Sequence, residues 1–178
     1  KTTKTKADME ISLFTKCLFE FIGTLVLVLL GDGVVASTVL KRSKGFDGGW
    51  IVITIAWGLA VMCGVLIAGP YSGAHLNPAV SVGLAVAGSF PWAYVPGYVA
   101  AQLLGGFCGA VVVYLYYKDH FDATDDPAAK LGVFCTMPAI MDKPRNLFCE
   151  VVGTFLLVFV ILAIGNEQNT PEIGMGSL

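Results

Sequence analysis

Charge is scarce in this 178-residue chain: 13% of its residues are Asp, Glu, Lys or Arg, against roughly 25% in an ordinary soluble domain. No basic run is longer than Lys41-Arg42 and the net charge is −2. That excludes a nucleic-acid surface, which needs clustered Lys and Arg to displace phosphate counterions. Clustered metal ligands are lacking as well. The five cysteines (Cys17, Cys63, Cys108, Cys135, Cys149) are scattered, with no CxxC or Cys/His spacing, so no zinc site is expected and the thiols read as small packing groups. No nucleophile, base and orienting group occur together, and no glycine-rich phosphate loop is present. No enzymatic activity, metal or cofactor is therefore expected.

What the chain has instead is apolar length. Hydrophobic residues make up 56% of it, and the mean hydropathy is +0.74. Trp50 to Gly69 is a run of twenty residues without a charge, and Asn146 to Gly165 contains Glu150 as its only one. Each is long enough to cross a hydrocarbon core of about 30 Å. Cys17 to Leu40, interrupted by Glu20 and Asp32, and Tyr94 to Tyr117 read as two further spans. The first apolar stretch is too long for the core of a cleavable signal and lacks its small-residue cleavage site, so it is expected to stay in the bilayer. The fold class expected is an all-α membrane protein of four spans. Its parts are a polar lead-in (1–16), a first repeat (17–117), a polar connection of 28 residues (118–145) and the start of a second repeat (146–178).

That second repeat is visible as self-similarity. Glu20-Phe21-Ile22-Gly23-Thr24-Leu25-Val26-Leu27-Val28 matches Glu150-Val151-Val152-Gly153-Thr154-Phe155-Leu156-Leu157-Val158 at an offset of 130 residues. Three spans separate the copies, and an odd number inverts the second relative to the first. Such inverted repeats build sites near the membrane midplane from broken helices.

One broken helix is present. Tyr71 to Gly88 is apolar but interrupted at Ser72-Gly73 and at Asn77-Pro78, so it cannot be one continuous helix. Asn is a favoured N-cap and Pro a favoured first helical residue, which starts a half-helix at Pro78. From Pro78 to Gly88 it would run about 16 Å at ~1.5 Å per residue, half the hydrocarbon thickness. Ser72 to Leu76 would then enter the membrane as extended backbone. Unpaired carbonyls are tolerated at that depth only where they line a wet cavity or are buried in protein. A helix N-terminus aimed at the midplane repels cations, and the Asn77 amide can donate to a passing oxygen. A neutral, oxygen-bearing solute is the expected passenger.

The segment Gly73-Ala74-His75-Leu76-Asn77-Pro78-Ala79-Val80, the half-helix after it and the Glu-x-x-Gly-Thr opening at Glu20 resemble the aquaporin and glycerol-facilitator family over nearly the whole chain. The resemblance implies an aquaporin-like inverted-repeat helical bundle with a re-entrant half-helix, here incomplete. It makes Asn77, Pro78 and Ala79 the first of two Asn-Pro-Ala motifs and puts the carbonyls of Gly73, Ala74 and His75 on the solute track. Glu20 and Glu150 would support the re-entrant loops, and Trp57 would belong to the outer selectivity filter. Trp at that position, together with Phe134-Cys135-Thr136-Met137-Pro138 in the third loop, is similar to the glycerol-conducting branch rather than to strict water channels. The family also implies passive conduction of glycerol, small polyols and water, a homotetramer, a multi-pass plasma-membrane location and a cytoplasmic N-terminus. The Lys and Arg distribution between loops does not itself support that orientation.

A second Asn-Pro-Ala motif would fall near position 207 by the repeat offset, past Leu178, so a portion of a longer channel is expected. A water-selective channel and a non-conducting membrane subunit remain the alternatives. Gln102, with Ala101, Gly105 and Gly109 at helical spacing, reads as a close-packing face with one polar group to satisfy. Asp32 is expected near the outer vestibule, without an assigned role.

Overall fold

The fold, a computed structural model, describes residues 11–165. Residues 1–10 of the expected lead-in and 166–178 of the expected second repeat lie outside them. Among the described residues four helices are long and apolar enough to span a bilayer: α1 (Leu13–Val39), α2 (Gly49–Ser72), α4 (Val95–Tyr116) and α7 (Lys143–Ile164). Between α2 and α4 lies the short α3 (Pro78–Val86), and between α4 and α7 lie α5 (Lys118–Ala123) and α6 (Pro127–Gly132).

Capping chemistry explains where the spans begin earlier than hydropathy suggests. α1 starts at Leu13, inside the expected lead-in, because the Ser12 hydroxyl accepts from Thr15 N at 3.1 Å. α7 starts at Lys143 rather than Asn146 because Asp142 caps it, accepting from Arg145 N, with Pro144 in the first turn. α4 opens from a single 3-10 turn at Trp92–Tyr94.

α1 is the centre of the bundle, with α2 on one side and α4 on the other. Glycines bring the axes together. A Cβ on Gly64 of α2 would stand 3.0 Å from Gly23 O of α1, and one on Gly109 of α4 would stand 2.7 Å from Leu25 O. Backbone-to-backbone approach of this kind replaces the hydrophobic drive that lipid does not supply. α3 packs against α4 and α7; Val158 of α7 lies against Gly83, where a Cβ would be 2.7 Å from its methyl. Large apolar side chains such as Leu103, Phe107, Trp50 and Phe155 face outward, as a bilayer and not water permits.

The 28-residue connection is more structured than its polarity suggests. Phe121 of α5 and Val133 join Ala36, Leu40 and Val113 in a buried cluster, with Phe134 stacked on Phe121 at 5.7 Å. Thr124 and His120 then tie the connection to the end of α1: Lys41 N donates to Thr124 Oγ1 (2.9 Å), and His120 Nδ1 is 3.1 Å from Lys41 O.

Candidate functional site

The break between α2 and α3 differs from the expected extended strand. α2 continues through Pro70 to Ser72, and three of the next four residues are left-handed: Gly73 (φ 83), Ala74 (φ 51) and Leu76 (φ 51). The change of handedness from Ala74 through His75 to Leu76 turns the successive N–H groups of His75 and Leu76 to one side, making a concave nest for an anion. The anion is Glu20. Its Oε1 accepts from His75 N (2.9 Å) and Ser72 Oγ (2.7 Å), and its Oε2 from Leu76 N (2.8 Å) and Gln102 Nε2 (2.7 Å). The carboxylate is fully buried and meets four donors, which is how a charge costing about 3 kcal/mol at membrane depth becomes tolerable.

Because the N–H groups turn toward Glu20, the carbonyls of Gly73, Ala74 and His75 accept from no described residue. At the end of this row Asn77 caps α3, its Oδ1 accepting from Ala79 N at 2.8 Å, with Pro78 as the first helical residue. The Asn77 Nδ2 hydrogens donate to no described residue. Acceptors followed by a donor therefore line one short stretch of backbone. α3 ends at Val86, two residues before the expected Gly88, because Gly88 turns left-handed (φ 76) and lets Ser89 N close on Leu84 O.

Leu76, between the nest and Asn77, is pinned from the other side. It is 6% exposed, and its methyls occupy the space where Cβ atoms on Gly23 and Gly64 would sit, at 2.6 and 2.8 Å. The two glycines thus make room for the loop as well as for the α1–α2 approach.

Trp57 stands higher on α2, half-buried, with its ring against Gly31: a Cβ there would fall 2.5 Å from the indole. It lines a cavity of about 1110 Å³ with Asp32, Thr54 and Thr136. Asp32, which sequence left without a role, is 8% exposed and accepts from no described residue. Glu150 is exposed on α7 and likewise meets no donor among the described residues, so the structure brings Glu20 to a loop and leaves Glu150 without one. Of the cysteines expected to pack, Cys17, Cys63 and Cys108 are half-buried, whereas Cys135 and Cys149 are exposed. Cys135 lies on the wall of the cavity, and α7 has no described neighbour covering its Cys149 face.

Four residues that hold the loop carry little sequence signal of their own. Ser72 bridges Glu20 and Ala74 N, and Tyr98 OH donates to Ser72 O at 2.8 Å. Gln102, expected to be mainly a packing residue, donates to both Glu20 and Ser81 Oγ. Ser81, buried one turn into α3, is also 2.9 Å from His75 Nδ1. Of the four, the sequence marked Gln102 as a polar group needing a partner on a close-packing face; Ser81 is marked by no more than its position one helical turn beyond Asn77.

With the geometry in place, similarity to known proteins narrows the chemistry. The Major intrinsic protein family profile matches residues 8–176. The "Probable glycerol uptake facilitator protein" of Thermotoga maritima is 57% identical over 151 residues, 85% of this chain and 64% of that relative. The "Glycerol uptake facilitator protein" of Bacillus subtilis is 52% identical over 154 residues, 86% of this chain and 56% of the relative. The X-ray structure of the aquaglyceroporin from Plasmodium falciparum superposes with a TM-score of 0.60 at 39% identity, covering 66% of this chain and 48% of that one. This chain thus spans less than two thirds of these relatives' length. Its membrane-spanning helices, re-entrant half-helix and residue-by-residue likeness together make it a member of the major intrinsic protein family.

Proposed function

We propose that this chain supplies the first half of a channel for glycerol and similar small neutral solutes, with water, across the plasma membrane, in a homotetrameric assembly. The observation that carries the reading is the row of carbonyls at Gly73, Ala74 and His75, which accept from no described residue, leading to the Asn77 NH2 group, which donates to none. A polyol is both donor and acceptor along its length, so it can exchange its water shell for such a row without leaving polar groups unpaired. Trp57 offers an apolar face to the carbon side of the same solute. The names of the relatives from Thermotoga maritima and Bacillus subtilis support glycerol over water alone. Glu20 acts by holding the loop, and Glu150 has the corresponding role in the inverted repeat. Pro78 and Ala79 fix the first turn of α3 behind Asn77. Conduction is passive, without catalysis.

The test is a chimera in which residues 11–165 replace the matching segment of the Thermotoga maritima relative, reconstituted in lipid vesicles and followed by stopped-flow light scattering. Glycerol flux above empty vesicles, lost on Asn77→Asp, is the expected outcome. A folded chimera that passes water but no glycerol would overturn the proposal.

A further inference from the structure

We propose that Ser81 is a positioning residue that holds His75 in one tautomer, with the proton on Nε2, and that Gln102 and Glu20 dictate this through a one-way chain of hydrogen bonds. Gln102 places an amide atom 2.7 Å from Glu20 Oε2; a carboxylate oxygen accepts only, so that atom is the NH2 group and the Gln102 carbonyl is turned away. Gln102 Oε1 is indeed buried without a partner, the cost of giving both amide hydrogens to acceptors. Its second hydrogen goes to Ser81 Oγ at 3.1 Å.

Ser81 Oγ thus accepts from Gln102 and has one proton left to give. Two acceptors are within reach. Asn77 O is 3.5 Å away and already takes the helical bond from Ser81 N at 3.1 Å; His75 Nδ1 is 2.9 Å away. A 3.5 Å contact is at the weak limit for a hydroxyl, whereas 2.9 Å lies near the usual range. Were Nδ1 to carry the proton, Ser81 Oγ would accept twice and its own hydrogen would be left with only the 3.5 Å contact to Asn77 O; given to Nδ1 at 2.9 Å that hydrogen makes a full bond, and Nδ1 is then the bare nitrogen. The neutral ring carries its own proton on Nε2.

Among the described residues no other group beside His75 competes for this arrangement. The ring is flanked by Phe90, edge-on at 4.4 Å, and by Tyr98 at 5.0 Å. The Tyr98 proton is committed to Ser72 O at 2.8 Å. His75 Nε2 bonds to no described residue and belongs to a half-buried side chain. The Nε2–H then donates to no described residue, and it belongs to the residue that contributes the last carbonyl of the row. Its use by a solute rests on the channel reading above; the tautomer does not.

The chain has two histidines, and the other is an internal standard. His120 Nδ1 is 3.1 Å from the carbonyl oxygen of Lys41, so Nδ1 must donate and His120 is the opposite tautomer. Nitrogen-15 NMR of the full chain with labelled histidine, at mildly alkaline pH in lipid, reads both. The expected wild-type spectrum has Nε2–H for His75 and Nδ1–H for His120. In Ser81→Ala the bare His75 Nδ1 signal moves downfield toward that of an unbonded ring nitrogen, while His120 is unchanged; in Ser81→Thr it stays in place. An Nδ1–H tautomer at His75 in the wild-type protein overturns the proposal whether or not any variant folds. So does an unmoved His75 signal in Ser81→Ala with His120 intact. Because neither readout depends on flux, a chimera that fails to conduct glycerol while showing the expected tautomers counts against the channel reading alone.

Discussion

Glu20 shows how much one side chain can hold at membrane depth. Two of its four donors are consecutive backbone N–H groups and two are side chains from α2 and α4, so the carboxylate joins three elements to the loop. Glu20→Gln keeps the shape but replaces one acceptor oxygen by an NH2 group that faces donors. Hydrogen bonds to a charged group are worth about 1.5–3 kcal/mol each, and at least one is lost outright. The expected result is a loss of about 2–4 kcal/mol, seen as a lower melting temperature in detergent. The glycerol flux of the chimera falls in parallel. A variant as stable as the wild type would mean that the nest holds its shape without an anion.

At the scale of the element, the loop between α2 and α3 carries conformational strain that its surroundings offset unequally. Ala74 and Leu76 both sit at φ 51, a region that costs an L-residue roughly 1–2 kcal/mol. Ala74 has only a half-buried methyl to lose, so Ala74→Gly relieves the strain at an entropic cost of about 0.5–1 kcal/mol. It is expected to raise stability slightly, by up to about 1 kcal/mol. Leu76 fills the space left by Gly23 and Gly64. Removing a buried Leu side chain costs about 2–5 kcal/mol, more than the strain returns. Leu76→Gly is therefore expected to destabilise by about 2 kcal/mol although it removes the same strain. Thermal melts of the two variants side by side check the ordering; equal shifts would mean that the backbone, not packing, sets the loop.

At the scale of the whole molecule, the bundle depends on how closely α1 can be approached from two sides. On the α4 side the seam is Gly105 and Gly109 against the backbone of α1 at Phe21 and Leu25. A side chain at Gly109 meets backbone, which cannot swing away, so α4 must move outward as a unit. Since Gln102 rides on α4, that movement stretches its bonds to Glu20 and Ser81 as well. Gly109→Leu is expected to cost more than the usual 1–3 kcal/mol of overpacking and to disturb the loop, although it lies two turns from Gln102. Loss of protection of the His75 and Leu76 amides in hydrogen exchange is the measurement; unchanged protection would show the loop to be independent of the α1–α4 seam.

The four spans and the half-helix were legible from sequence because each rests on local chemistry: apolar length and an Asn-Pro start. Legible too was the need of Glu20 for partners, since a bare charge in lipid is prohibitive. Tertiary structure decided the rest. Left-handed turns at Ala74 and Leu76 replace an extended strand because two N–H groups must converge on one carboxylate from another helix. The partnership of Ser81, Gln102 and His75 joins residues that are distant in sequence and meet only when α3 and α4 touch, and nothing in local propensity announces which hydroxyl will lie beside which ring. Composition and periodicity describe a residue's solvent; the direction of a hydrogen bond depends on every other proton in its network, and those are assembled only by the fold.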